Sequence, residues 1–287
     1  MNKQSISIIL PARNEAKGLE EVLPRLKKFF PEVELLVVDD GSDDNTREVA
    51  ERFGCIVIRH PYPKGNGAAI KAGARAATGQ VFVFMDADSQ HRPEDISKLL
   101  DKLHEGYDMA VGARASRESQ AGMHRAVANG FYNRFASWMT GHQVQDLTSG
   151  FRAVKASLFK RFLYLLPNGF SYPTTITMSF FRSGYSVAYV PIHADKRIGK
   201  SHIRLWRDGI RFLLIIFKIG TLFSPLKLFL PIAAMFFGAG VVHYGFNYWT
   251  AHRFSNMSAL LFIFSIIVFL IGLVSEQITA LNYKDSE

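Results

Sequence analysis

At three places in this chain, ionisable residues follow directly on an apolar run. In "VFVFMDADSQ", Asp86 and Asp88 close the run that begins at Val81, and Gln90 comes next. In "ELLVVDDGS", Asp39 and Asp40 follow Leu35–Val38. In "SISIILPARNE", Pro11 is followed by Arg13, Asn14 and Glu15. Burying unpaired carboxylates is costly, so something positive should meet them. Two carboxylates and the amide oxygen of Gln90 make a hard oxygen site. Such a site suits Mg2+ or Mn2+, with water and phosphate oxygens completing the shell. An ion bridging a diphosphate would neutralise charge that develops on a leaving group. The plainer alternative is a loop whose aspartates cap the helix after Pro93. Asp39 and Asp40 could accept from a nucleobase or a ribose hydroxyl. They could equally cap the next helix, as could Asp43 or Asp44.

The elements that must position these residues can be read from the same pattern. "SISIIL", "ELLVVDD", "CIVIRH", "QVFVFMDAD" and "DMAVGAR" are predicted strands. Between them lie predicted helices: Lys17 to Phe29, one through Val49, "GNGAAIKAGARAA", and one from Pro93 to about His104. Strands apolar on both faces and alternating with helices imply a parallel sheet in an α/β domain. In such sheets ligands bind at the carboxyl ends of strands. All three polar sites fall there.

Lys and Arg outnumber Asp and Glu by 34 to 25, a net charge of +9 over 287 residues. The excess favours an anionic partner: a nucleic acid, a lipid surface or a phosphorylated substrate. Cys55 is the single cysteine, so no internal disulfide forms and a reducing compartment is expected. The N-terminus has no signal-peptide pattern, which points to a cytoplasmic catalytic part. Composition then changes abruptly. Leu228 to Ala251 and Phe254 to Ser275 contain no Asp, Glu, Lys or Arg. Each is long enough to cross a hydrocarbon core as a helix. Joined by "HRF", they predict a transmembrane hairpin with both termini on one side. Lys218 and Lys227 on the domain side agree with a cytoplasmic domain. Before the hairpin, Ile203, Trp206, Ile210, Leu213 and Phe217 recur at helical spacing beside Arg204, Arg207, Arg211 and Lys218. That pattern suits a helix lying in the membrane interface. The basic residues beside the hairpin favour a lipid surface over nucleic acid.

"ILPARNEAKGL", "VVDDGSDDNT", "KGNGAAIKAG" and "MDADSQHRPEDI" occur in the order and spacing of family 2 glycosyltransferases. With "VGAR", "HRAVANGFYNRF", "DLTSGFRAVK" and "RIGKSHI", the chain resembles the polyprenyl-phosphate glycosyltransferases, the dolichyl-phosphate mannose synthase-like group. The resemblance implies an α/β GT-A catalytic domain over residues 1–200, Rossmann-like with a mainly parallel sheet. It also implies amphipathic juxtamembrane helices over 201–226, a hairpin over 227–280 and a short cytoplasmic tail over 281–287. The implied reaction is inverting, metal-dependent transfer of a sugar to a polyprenyl phosphate, undecaprenyl or dolichyl. The implied donor is GDP-mannose or UDP-glucose; a UDP-GlcNAc-type donor or another lipid or polysaccharide acceptor is the alternative. An integral membrane location follows, the plasma membrane in a prokaryote or the ER in a eukaryote. Self-association suits the two spans.

Residue by residue, the resemblance places Pro11, Arg13, Glu15, Asp39 and Asp40 at the nucleotide. Lys64, Gly65 and Gly67 form a turn where the backbone would approach the ligand closely. Asp86, Asp88 and Gln90 fall on the metal and diphosphate motif. Arg114 and Arg125 match arginines that hold the lipid phosphate, with Asn129 assisting; a planar guanidinium suits that role. Arg197, Lys200 and Ser201 match a loop closing near the diphosphate, and His202 stands where a lysine is more usual. Asp146 lies where related enzymes place a catalytic carboxylate. A phosphate acceptor needs no base, so Asp146 is expected to orient acceptor or sugar. A processive polysaccharide synthase would carry a Gln-x-x-Arg-Trp motif and more spans, which this chain lacks. A non-catalytic adaptor would have lost Asp86, Asp88 and Gln90. His91 and Glu276 receive no role from the sequence.

Overall fold

The structure, a computed structural model, describes residues 5–114, 123–169, 171–192, 217–218 and 220–284. It divides into two units, residues 1–202 and 203–287.

The first unit is built on β1 (Ile6–Ala12), β2 (Glu34–Asp39), β3 (Ile56–Arg59), β4 (Val81–Phe84), β5 (Met109–Arg114), β6 (Arg152–Lys155) and β7 (Val187–Ile192). Its helices are α1 (Ala16–Phe29), α2 (Thr46–Arg52), α3 (Asn66–Ala76), α4 (Asp95–His104), α5 (Met123–Thr140), α6 (Ala156–Arg161) and α7 (Tyr172–Arg182). The sheet order is β3-β2-β1-β4-β6-β5-β7. β1 pairs in parallel with β2 on one side and β4 on the other. The chain therefore reverses its winding direction between β1 and β4, the point where open sheets leave a crevice. Ile8, Ile9, Leu36, Val37, Phe82 and Val83 are fully buried, which explains the unbroken apolar runs. Each such side chain contributes about 1.5–3 kcal/mol relative to exposure.

The mainly parallel sheet expected from the sequence is present. β6 departs from it, running antiparallel to both β4 and β5. Four residues led by an arginine gave no strand signal. Arg152 is nevertheless fully buried. Its Nη1 donates to Pro173 O and Thr177 Oγ1, both at 3.2 Å, and its Nη2 donates to Ser149 O. β4 is also shorter than "QVFVFMDAD" suggests. It ends at Phe84, so Asp86 and Asp88 lie in the following loop rather than on one strand face. Gly18 on α1 explains how that loop is held. A Cβ there would sit 2.1 Å from Ala87 O, so only glycine lets the helix come this close.

In the second unit, α8 (Pro225–Ala251) and α9 (Asn256–Lys284) pair as a hairpin. Both are long and apolar enough to cross a membrane, with mean hydropathies of 1.8 and 2.9. His252, in the left-handed conformation at φ 48°, ends α8. The second helix runs past the predicted Ser275 to Lys284 and so carries Glu276. Glu276 Oε2 accepts from Leu226 N–H at 3.2 Å, at the start of α8. The carboxylate thus serves an amide with no intrahelical partner. Small residues and short polar contacts close the rest of the hairpin. Gly240 lies against Phe262, Ser265 Oγ donates to Ala233 O at 2.9 Å, and His243 meets Ser258 at 2.9 Å. Of the predicted juxtamembrane helices over 201–226, residues 201–216 and 219 lie outside the described residues, while 217–218 and 220–223 are helical.

Candidate active site

The loops after β1 and β2 are laced together. Asn14 N–H donates to Ser42 Oγ at 3.0 Å, and Asp43 N–H to Asn14 Oδ1 at 2.9 Å. Glu15 N–H donates to Thr46 Oγ1 at 3.0 Å and Ala16 N–H to Asp44 Oδ2 at 3.4 Å. Asp44 therefore serves the start of α1 as well as its own turn. Asn14, at φ 55°, was given no role by the sequence and is central to this junction. Pro11 is half-buried and Arg13 is exposed at its rim.

Asp39 and Asp40, equivalent in sequence, do different work. Asp39 is 1% exposed. Its Oδ1 accepts from Ser42 N–H at 2.9 Å, while its buried Oδ2 has no hydrogen-bond partner among the described residues. Arg59 Nε stands 3.5 Å from that oxygen, near enough for ion pairing but without hydrogen-bond geometry. An orphaned buried acceptor is costly unless a ligand supplies a donor. Asp40 is engaged internally. It meets His60 Nδ1 at 2.7 Å and accepts from Lys64 N–H and Gly65 N–H, both at 2.8 Å. Burial would raise its pKa; the bonds from His60, Lys64 and Gly65 outweigh that and hold it below the ordinary range. In this structure Asp40 holds the turn at Lys64 and Gly65.

The glycine turn is packed against another segment of the chain. A Cβ on Gly67 would lie 2.0 Å from Pro167 O, and one on Gly65 would lie 2.5 Å from Asn168 O. Ala68 N–H donates to Asn168 O at 3.1 Å, and Lys71 Nζ donates to Leu166 O at 2.9 Å. The backbone that approaches Gly65 and Gly67 is the protein's own 166–169 segment. Lys64 points its ammonium over Tyr62, 5.6 Å from the ring centroid.

At the end of β4, Asp86 is partly exposed and Asp88 is buried, with Asp88 Oδ1 accepting from Gln90 N–H at 3.2 Å. Behind them lies His91, stacked on Phe151 at 4.9 Å and 12°. Its Nε2 stands 3.9 Å from Asp86 Oδ2, and its buried Nδ1 has no hydrogen-bond partner among the described residues. Burial pulls the imidazole pKa down to about 4, against the opposing pull of Asp88. His91 is therefore a neutral wall of the site at physiological pH. Among the described residues, no three His, Cys, Asp or Glu side chains gather as a metal cage. The donor set of two carboxylates and an amide oxygen fits a hard divalent ion that draws its other ligands from a diphosphate and water.

Across from these acids, Asp146 grips Arg114. Arg114 Nε donates to Oδ2 at 2.8 Å and Nη2 to Oδ1 at 2.9 Å. Thr148 adds N–H and Oγ1 donation to Oδ1 at 3.2 and 3.1 Å. Burial would raise the Asp146 pKa, but Arg114 lowers it on balance. Burial likewise works against the Arg114 charge, and Asp146 restores it. Gly150 brings this segment to Asp86, whose Oδ2 lies 3.2 Å from where its Cβ would be. Arg125 and Asn129 fall on α5, where only their backbone positions are described. Arg197, Lys200, Ser201 and His202 lie outside the described residues. Beyond Asn14, the sequence reading also missed His60 and Arg59; their place at the end of an apolar run was the available signal.

A wound α/β sheet with acidic loops at the carboxyl ends of its central strands defines a GT-A glycosyltransferase. Residues 7–163 match the family described as Glycosyl transferase family 2, and residues 224–281 match the GtrB C-terminal hairpin. The chain belongs to glycosyl transferase family 2. It is 30% identical over 208 residues to a polyprenol monophosphomannose synthase of Mycolicibacterium smegmatis, covering 68% of this chain and 78% of the relative. A dolichyl-phosphate hexose transferase of Haloferax volcanii is 30% identical over 206 residues, covering 71% and 89%. Among solved structures, glucosyl-3-phosphoglycerate synthase of Mycobacterium tuberculosis, with Mn2+, UDP-glucose and phosphoglyceric acid, shares the fold. The TM-score is 0.61 at 22% identity, over 76% of this chain and 79% of that one.

Proposed function

We propose that this glycosyltransferase moves a sugar from a nucleotide sugar, GDP-mannose or UDP-glucose, to a membrane polyprenyl phosphate, with inversion. The observation that carries the reading is the joining of a family 2 catalytic unit to a GtrB-type apolar hairpin. An acceptor that lives in the membrane is what such an anchor serves. The relatives named as polyprenyl and dolichyl phosphate transferases support it. In this reading the catalytic unit faces the cytoplasm, where nucleotide sugars are made.

The residues divide the work as follows. Asp39 Oδ2, buried and orphaned, accepts from a nucleobase N–H, with Arg13 and Glu15 at the rim. Asp40 holds the turn at Lys64 and Gly65 in place. Asp86, Asp88 and Gln90 would hold Mg2+ or Mn2+, which when bound supplies charge neutralisation at the diphosphate. His91 stays neutral and excludes water behind Asp86. Arg114 and Arg125, with Asn129, hold the acceptor phosphate. Arg197, Lys200 and Ser201 close over the diphosphate. A phosphate monoester has its second pKa near about 6, so the acceptor is largely dianionic at neutral pH. Its oxygen attacks the anomeric carbon without a base as the bond from that carbon to the nucleoside diphosphate breaks, and the nucleoside diphosphate leaves. Asp146, ion-paired and held below the usual carboxylate range, orients Arg114 rather than taking a proton.

The test is a screen of nucleotide sugars with short polyprenyl phosphates, with and without Mn2+ or Mg2+. A lipid-linked monosaccharide formed only with the ion is the expected product. No lipid-linked product with any donor would sink the reading.

A further inference from the structure

The segment that carries Asp146 has no strand or helix of its own, so its backbone groups need partners elsewhere. Asn133 on α5 supplies two of them. Its Nδ2 donates to Gln145 O at 2.5 Å, and its Oδ1 accepts from Leu147 N–H at 3.0 Å. These bonds bracket Asp146 on both sides. The side-chain amide has one workable orientation. Reversed, it would set carbonyl against carbonyl and N–H against N–H. One helical turn on, Ser137 Oγ accepts from Val144 N–H at 2.9 Å and donates to Asn133 O at 2.6 Å. Three backbone groups of residues 144–147 are thus satisfied by two side chains of one helix. Asp146 then reaches away from α5 to Arg114 at the end of β5. The Asp146–Arg114 fork is therefore a bridge whose one foot is the sheet and whose other foot is Asn133. Positions 125 and 129 precede 133 by eight and four residues, which puts them in the same row of the helix.

We propose that Asn133 is a positioning residue: it fixes the Asp146–Arg114 fork to α5, so that this helix and the arginine at the end of β5 present one register to the acceptor phosphate. The inference rests on the acceptor assignment above. A side chain that merely stabilised the fold would lower stability and loosen donor and acceptor alike. A positioning residue acts through its fork and spares the donor.

The experiment uses the full chain in nanodiscs, with UDP-glucose, GDP-mannose and UDP-GlcNAc as donors and farnesyl phosphate as acceptor. Steady-state constants for both substrates are measured for wild type, Asn133→Ala, Asn133→Asp, Asp146→Asn and the Asn133→Ala/Asp146→Asn pair. Asn133→Ala should lower kcat/KM for farnesyl phosphate by about tenfold or more, with donor KM within twofold of wild type. The same change should add little in the Asp146→Asn background, because contacting residues in one network are non-additive. Asn133→Asp keeps the acceptor for Leu147 N–H and should fall between; it carries the test if the alanine variant does not fold. Wild-type acceptor kinetics, a parallel rise in donor KM, or full additivity with Asp146→Asn would overturn the proposal. An inactive wild type would overturn the acceptor assignment and this inference together. An active wild type with an indifferent Asn133 would overturn this inference alone.

Discussion

Asp146 and Arg114 meet through two parallel contacts of 2.8 and 2.9 Å, with both carboxylate oxygens and two guanidinium nitrogens engaged. A carboxylate so committed is a poor proton acceptor and a good clamp. Asp146→Asn should therefore lower kcat on the order of 100-fold, the scale of a misplaced reacting group. The loss should be equal at pH 6, 7 and 8. Recovery at pH 8, where the acceptor is fully ionised, would instead mark Asp146 as the base.

Asp40 is predicted to matter through the turn it holds. Asp40→Ala removes hydrogen bonds from His60, Lys64 N–H and Gly65 N–H, and should cost roughly 2–4 kcal/mol: one bond to a charged group contributes about 1.5–3 kcal/mol, and three that share a single carboxylate do not add in full. The sign of its pH dependence follows from a folded pKa below the unfolded value. Its stabilisation is complete above the unfolded carboxylate pKa of about 3.9 and is lost as pH falls through the lower folded value. Denaturant titrations of wild type and Asp40→Ala should stay apart from pH 5 to 7 and draw together as pH falls below the unfolded carboxylate pKa of about 3.9. A constant gap down to pH 2 would contradict this.

Gly67→Ala discriminates between ligand and chain as the reason for the glycine. The added methyl would collide with Pro167 O. Overpacking of this kind typically costs about 1–3 kcal/mol. Thermal unfolding without any nucleotide should show that loss. Unchanged unfolding combined with weakened donor binding would restore the ligand explanation.

Glu276 gives a prediction for the hairpin. Glu276→Ala should cost about 0.5–2 kcal/mol, the range for removing a helix N-terminal acceptor, whereas Glu276→Gln keeps an oxygen for Leu226 N–H and should lose less. Unfolding in mixed detergent micelles reads both. Equal losses for the two variants would mean that the charge, not the acceptor, is what the helix end requires.

The three strand ends and the hairpin were legible because each is written in composition: an apolar run, then a sudden polar or charge-free boundary. What was not legible concerned partners. Gly65 and Gly67 announce that something comes close, but only the fold shows that it is residues 166–169. Asp39 and Asp40 look interchangeable, yet Asp39 is the last residue of β2 and Asp40 turns to His60 beyond it. Glu276 received no role from the sequence, and the hairpin geometry made it a partner of Leu226. β6 was invisible because Arg152, at 0% exposure, violates the pattern by which buried strands are recognised.

The reversed direction of β6 has one more consequence. The chain leaves the sheet at Arg114, where β5 ends, and rejoins it at Arg152, where β6 begins, at the same end of the sheet as the acidic loops. The stretch therefore behaves as an exchangeable cassette hung on two adjacent pegs. On the proposed assignment, transplanting it whole from a relative would exchange the acceptor-binding part while every strand at the proposed donor crevice, β1 to β4, keeps its own sequence.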